Sequence, residues 1–186
     1  MEQRRETDML DADFDALVPA ELRHLSNLHW TPISVAIRAA KLLAPDAGAR
    51  VLDIGAGIGK LCTIGALCTR ANWVGIECQP ALVTAAERIA RTFGVADRTT
   101  FVLGDAFSLA WTEFDALYFF NPFELPLFPT TASSTFRIAI AETERRLGEL
   151  RPGTRVVTLH GFGGTMPACY ELLWHELELA CWIRRS

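Results

Sequence analysis

One segment constrains the whole chain: Arg50-Val51-Leu52-Asp53-Ile54 reads as a buried β-strand and runs without a break into Gly55-Ala56-Gly57-Ile58-Gly59-Lys60. A short apolar run without strict polar alternation suits a strand covered on both faces, as in a parallel sheet. Three glycines this close together let the backbone turn sharply, and they let a ligand approach where a Cβ atom would block it. The helical segment LCTIGALCTR follows directly. A strand, a glycine turn and a helix in this order predict a ligand crevice at the carboxyl end of the strand.

The same alternation continues along the chain. WVGIE reads as a second buried strand, leading through CQP into the helix ALVTAAERIARTFG, where Gly94 suits a C-terminal cap. TTFVLGD gives a third strand, FDALYFF a fourth, SSTFRIAIAETERRLGEL a helix, and TRVVTLH a fifth strand after the turn Arg151-Pro152-Gly153. Upstream, Ile33 to Leu43 has helical spacing, with Arg38 and Lys41 on a solvated face and Pro45 beyond its end; Leu17 to Leu28 is loosely helical. The last stretch, YELLWHELELACWIRR, satisfies both periods in places, but Leu177, Leu179, Cys181 and Ile183 alternate, which predicts an antiparallel hairpin around His175 and Glu176. The expected fold is α/β: a doubly wound, mostly parallel seven-stranded sheet with helices on both faces and an antiparallel C-terminal hairpin. Residues 1–30 form a helical N-terminal cover and residues 31–186 a single domain in this reading.

Composition sets the outer limits. Half of the 186 residues are hydrophobic, yet no apolar run approaches the roughly 18 residues needed to span a membrane, so one soluble domain without a membrane partner is expected. The charged start, MEQRRETDMLDADFD, lacks the apolar stretch of a secretory signal, which points to the cytoplasm. Cys62, Cys68, Cys78, Cys169 and Cys181 lack metal-site spacing and sit in apolar segments, so buried reduced thiols are expected and no metal. A net charge of −4 argues against a strongly electrostatic grip on nucleic acid. Without an appended recognition module, sequence-specific DNA is disfavoured as a partner, whereas oligomeric state is open.

The glycine turn departs from the dinucleotide fingerprint Gly-x-Gly-x-x-Gly: the third glycine comes one position early and Lys60 holds its place. Glu77 ends the second strand, where a carboxylate can accept hydrogen bonds from ribose hydroxyls; that position suits any ribose-bearing ligand. Asp105 follows the third strand in Leu103-Gly104-Asp105-Ala106-Phe107. The Gly-x-Gly-x-Gly spacing after Leu-Asp, with these two acids in order, resembles the signatures of class I (Rossmann-like) methyltransferases that use S-adenosylmethionine (SAM). The resemblance covers about Thr31 to His160. It implies that Asp53, Gly55, Ala56, Gly57 and Gly59 hold the methionine part of SAM, Glu77 with the adjoining Cys78 the ribose, and Asp105 with Ala106 the adenine. Trp30-Thr31-Pro32 resembles a Thr-Pro element that touches the methionine end in some amino-methyltransferases, although Thr-Pro is also an ordinary helix start.

Asn121-Pro122-Phe123-Glu124 resembles the Asn/Asp-Pro-Pro-Tyr/Phe signature of enzymes that methylate planar nitrogens, with the second proline absent. By that resemblance Asn121 and Phe123 face the acceptor as catalytic residues, and Asn121 also borders the donor. His160 reads either as a base on the acceptor side or as a satisfied loop histidine. The Tyr118-Phe119-Phe120 run reads as strand core, and 124–134 as a lid or a plain loop. The implied function is transfer of the SAM methyl group to an unidentified acceptor, which is a protein, an RNA or a small molecule. The alternatives are a SAM-binding module without catalysis and an NAD-dependent oxidoreductase.

Overall fold

The computed structural model describes residues 11–25, 30–122 and 132–186. Its frame is a seven-stranded sheet of β1 (Arg50–Ile54), β2 (Asn72–Glu77), β3 (Thr99–Leu103), β4 (Ala116–Phe120), β5 (Arg155–Leu159), β6 (Tyr170–Glu176) and β7 (Leu179–Arg184), in the order β3-β2-β1-β4-β5-β7-β6. The first five strands are parallel, and β7 runs antiparallel between β5 and β6. The order reverses beside β1, so β1 and β4 diverge at the switch point where a doubly wound sheet opens a crevice.

On one face lie α2 (Ile33–Leu43), α3 (Lys60–Cys68) and α4 (Pro80–Thr92), which share a core with Val51, Trp73, Ala116, Tyr118, Val157 and Cys181. The α3 helix lies close against β2: a Cβ added to Gly65 would fall 2.3 Å from the Trp73 ring. The other face is packed by Leu147 and Leu150 of α5 (Ala132–Glu149) and its end, together with Trp111 and Phe114 from short 3-10 turns between β3 and β4. Period-two alternation explains the division, since Leu52, Ile54, Leu117 and Phe119 point to this second core.

Three expectations need correction. Among the described residues 11–25 the N-terminal segment holds α1 (Asp11–Asp15) and a 3-10 turn (Ala20–Leu25), so no helix starts at Leu17, and the end of the stretch expected to be helical, 26–28, lies outside the described residues; Pro19 between the two pieces interrupts the backbone hydrogen-bond series. The C-terminal hairpin is present, but it turns at Leu177-Glu178, two residues later than expected, with Leu177 at φ 51° and 85% exposed. Cys62 and Cys181 are buried, whereas Cys68 and Cys169 are half-buried and Cys78 is exposed. None of the five forms a disulfide. Arg38 and Lys41 are exposed on α2, as their spacing predicted. Among the described residues, no helix is long and apolar enough to cross a membrane, and no group of side chains has the makings of a metal site.

Candidate functional site

The carboxyl ends of β1, β2 and β4 meet the glycine turn. Gly55 takes φ 77° and Gly59 φ 69°, left-handed conformations that a side chain disfavours. Space forbids a side chain at Gly59 as well, since a Cβ there would lie 2.4 Å from the Phe101 ring. The turn is fixed from below by Glu77, whose Oε2 accepts from the Gly57 N–H at 3.0 Å and whose Oε1 accepts from the Gln79 N–H at 2.9 Å. Glu77 is buried, so it does not merely face water. Two backbone amides occupy two of the roughly four acceptor directions of a carboxylate, leaving capacity for a ligand's hydroxyls.

Asp53 lies beside Tyr118 in the β1–β4 register and is 4% exposed. The Cys62 thiol donates to its Oδ2 at 3.6 Å. Burial pushes the Asp53 carboxyl from its ordinary 3.8 up to about 7; the thiol pulls it back down, and the Glu77 charge pushes it further up. A buried carboxylate with so weak a partner favours a cationic ligand group, which would supply the missing counter-charge. Tyr118 hydrogen-bonds Thr31 through their hydroxyls at 2.9 Å, and burial raises its phenol well above the ordinary value. Thr31 therefore does not cap α2, whose N-cap is Pro32 without a side-chain bond.

Trp30, Thr31, Asp53, Gly55, Ala56, Ile58, Lys60, Leu61, Tyr118 and Phe120 line a cleft above the strand ends. Of the sequence-predicted site residues, the structure brings Thr31, Asp53, Gly55 and Ala56 to this cleft, and Gly57 is joined to Glu77. Sequence reasoning missed Trp30, Lys60, Tyr118 and Phe120 as lining residues. The spacing of Tyr118 and Phe120, two apart on one strand, was the available signal. Tyr118 is buried and Phe120 half-buried, yet both line the cleft, whereas Phe119 between them faces the second core. A wider cavity of about 560 Å³, lined by Lys41, Asp46, Thr69 and Arg70 among others, sits at the amino ends of the strands, the wrong end for the ligand of a doubly wound sheet.

Asp105 stands across from Glu77, where the Gly104 N–H donates to the Glu77 carbonyl at 3.0 Å. It is exposed, and its Oδ1 accepts from Phe107 N–H at 2.7 Å, so it also shapes the turn after β3. Arg146 of α5 fastens this turn by donating to the Phe107 and Leu109 carbonyls, both at 2.9 Å. Ala106 is held in the same turn, accepting from Trp111 Nε1 through its carbonyl at 3.0 Å. Cys78 donates through sulfur to Glu77 Oε1 at 3.4 Å.

At the end of β4, Asn121 takes φ 39°, and a Cβ added to Gly55 would meet Pro122 Cβ at 3.3 Å. The Asn-Pro step thus abuts the glycine turn. His160, at the end of neighbouring β5, takes φ 59°; its ring lies 5.8 Å from that of Phe120, and its Nδ1 is 3.5 Å from Glu178 Oε2. Phe123 and most of the 124–134 loop lie outside the described residues.

The family model described as "Methyltransferase domain" matches residues 45–145. No relative is found among curated proteins. Among solved structures, the chain is similar to an RNA methyltransferase from Salinibacter ruber in complex with S-adenosyl-L-homocysteine (SAH): 27% identity, 84% of this chain and 94% of that one, TM-score 0.62. It also resembles a SAM-dependent methyltransferase from Thiobacillus denitrificans in complex with SAH, at 24% identity over 86% of this chain and 58% of that one, TM-score 0.54. The [4+2]-cyclase SpnF is a further neighbour, at 26% identity over 70% of this chain and 46% of that one, TM-score 0.50.

Proposed function

The chain belongs to the methyltransferase-domain family and uses SAM, and on that premise we propose that it transfers the methyl group to a planar nitrogen acceptor. The observation that carries this reading is the contact of Asn121-Pro122 with Gly55, which sets the Asn-Pro step against the donor turn. Donor contacts are assigned to Asp53 and the residues Gly55, Ala56, Gly57 and Gly59 for the methionine part, with Thr31 at its rim; to Glu77 and Cys78 for the ribose; and to Asp105 and Ala106 for the adenine. The buried, poorly partnered Asp53 and the glycine turn fit that ligand. When bound, SAM would supply a sulfonium-activated methyl: the bond from the acceptor nitrogen to that methyl forms as the S–CH3 bond breaks, the electron pair stays on sulfur as SAH, and the nitrogen's proton goes to a base.

The protein's own contribution is then alignment and exclusion of water. Asn121 offers an amide carbonyl that accepts from the acceptor's N–H, holding its lone pair toward the donor. Phe120, lining the cleft, and Phe123, two residues beyond Asn121, supply apolar surface for a flat group. His160, beside Phe120 and backed by Glu178, stands at the end of the adjacent strand and is the base within this arrangement. Its left-handed φ is a conformation in which glycine costs less, so a histidine kept there is consistent with a role for its side chain. The Salinibacter neighbour acts on RNA, which makes RNA the first acceptor class to examine.

The test is methyl transfer from labelled SAM to unmodified RNA, to a glutamine-containing peptide and to adenine. Label on an amide or ring-bound amino nitrogen supports the reading. Transfer confined to a thiol, a carboxylate or an aliphatic amine overturns it.

A further inference from the structure

We propose that Asp11 and Asp15 are positioning residues of the donor cleft, acting through Lys60 to staple its two walls together. Lys60 opens α3 directly after the glycine turn, and its side chain is only 5% exposed. Its ammonium donates to Asp11 Oδ1 at 2.5 Å and Asp15 Oδ1 at 3.2 Å, and it sits 5.2 Å from the centre of the Phe14 ring. The same Asp11 oxygen accepts from the Ile33 N–H at 3.1 Å. One carboxylate oxygen therefore bridges the glycine-turn wall, through Lys60, and the Trp30-Thr31 wall, through the start of α2. Both Lys60 and Thr31 line the cleft.

Side chains, not sheet hydrogen bonds, hold α1 in place. Phe14 stacks on Phe93 with ring centroids 5.6 Å apart, and Arg88 donates to the Leu17 carbonyl at 2.7 Å. Phe14 is the one buried side chain that α1 contributes, so α1 forms a small local unit whose docking is an equilibrium of its own. Its docking fixes the separation of the two walls. Ligand binding and α1 docking must then favour each other to the same extent. The inference rests on the donor-site reading above.

Two measurements with SAH test it: calorimetric titration, and amide hydrogen exchange of residues 11–25 with and without SAH. The paired variant Asp11→Asn/Asp15→Asn is expected to bind SAH on the order of tenfold more weakly. SAH is expected to slow exchange of 11–25 in the wild type and not in this variant, while Lys60→Arg keeps most of the affinity and the protection. Wild-type SAH affinity in the paired variant, even with a lowered melting temperature, overturns the staple and leaves α1 a purely structural element. So does exchange of 11–25 that ignores SAH in a wild type that binds it. Failure of the wild type to bind SAH at all overturns the donor-site map together with the staple.

Discussion

Replacing Asp53 by Asn removes a carboxylate that burial holds near neutrality. Between its ordinary value of 3.8 and about 7, the folded protein keeps a proton that the unfolded chain has released. Stability therefore falls as pH rises through that window. The full shift corresponds to at most about 4 kcal/mol, and an Asn side chain is spared it. Part of the gain is lost again, because an unpaired buried NH₂ costs about 1–3 kcal/mol. That cost does not vary with pH, so the pH dependence isolates the carboxylate. Urea unfolding at pH 5 and pH 8 is expected to show the stability difference between Asp53→Asn and wild type moving in the variant's favour by roughly 2–3 kcal/mol. The same proton governs ligand binding: if an ionised Asp53 receives the donor's ammonium, wild-type SAH affinity rises about eightfold from pH 6 to pH 7.5. The variant binds more weakly and without that slope. A stability difference constant from pH 5 to pH 8 would refute the assignment of a burial-raised Asp53.

The other predictions concern neighbouring residues. Glu77→Ala removes two charge-assisted contacts to the backbone at Gly57 and Gln79 as well as the proposed ribose acceptor, and should weaken SAH binding about a hundredfold or more by calorimetry. Asn121→Ala should leave SAH affinity within about twofold and lower turnover on an identified acceptor by at least tenfold; equal losses in both would remove Asn121 from the acceptor side. Thr31→Val strands the buried Tyr118 hydroxyl and should cost about 2 kcal/mol, seen as a melting temperature lower by roughly 4–8 °C. Adding Tyr118→Phe should recover part of that loss.

Most of the sheet was legible because its central strands β1, β4 and β5 are buried on both faces and glycine or proline punctuates the connections. The segment Val51 to Lys60 alone placed the glycine turn and the cleft above it, and Glu77 and Asp105 marked the ends of two further strands. The terminal hairpin was misplaced by two residues because Leu177 belongs to the apolar alternation of β7 in sequence while its backbone is still in the turn. Alternation reports which face a residue would take in a strand and says nothing about where the strand stops. The cleft's aromatic wall was hidden for a related reason: Tyr118 and Phe120 look like Phe119 in sequence, and only the packing shows that the outer two line the cleft. Lys60 was legible only as a missing glycine. Its partners Asp11 and Asp15 come from a segment distant along the chain, a pairing that local periodicity cannot report.

The central claim is that the cleft at the ends of β1, β2 and β4 binds the methyl donor. Isothermal titration of the wild-type protein with SAM, SAH and NAD in parallel tests it most directly. Binding of SAM and SAH without NAD is the predicted result; NAD binding in their place, or no binding of either adenosyl ligand, would contradict the account.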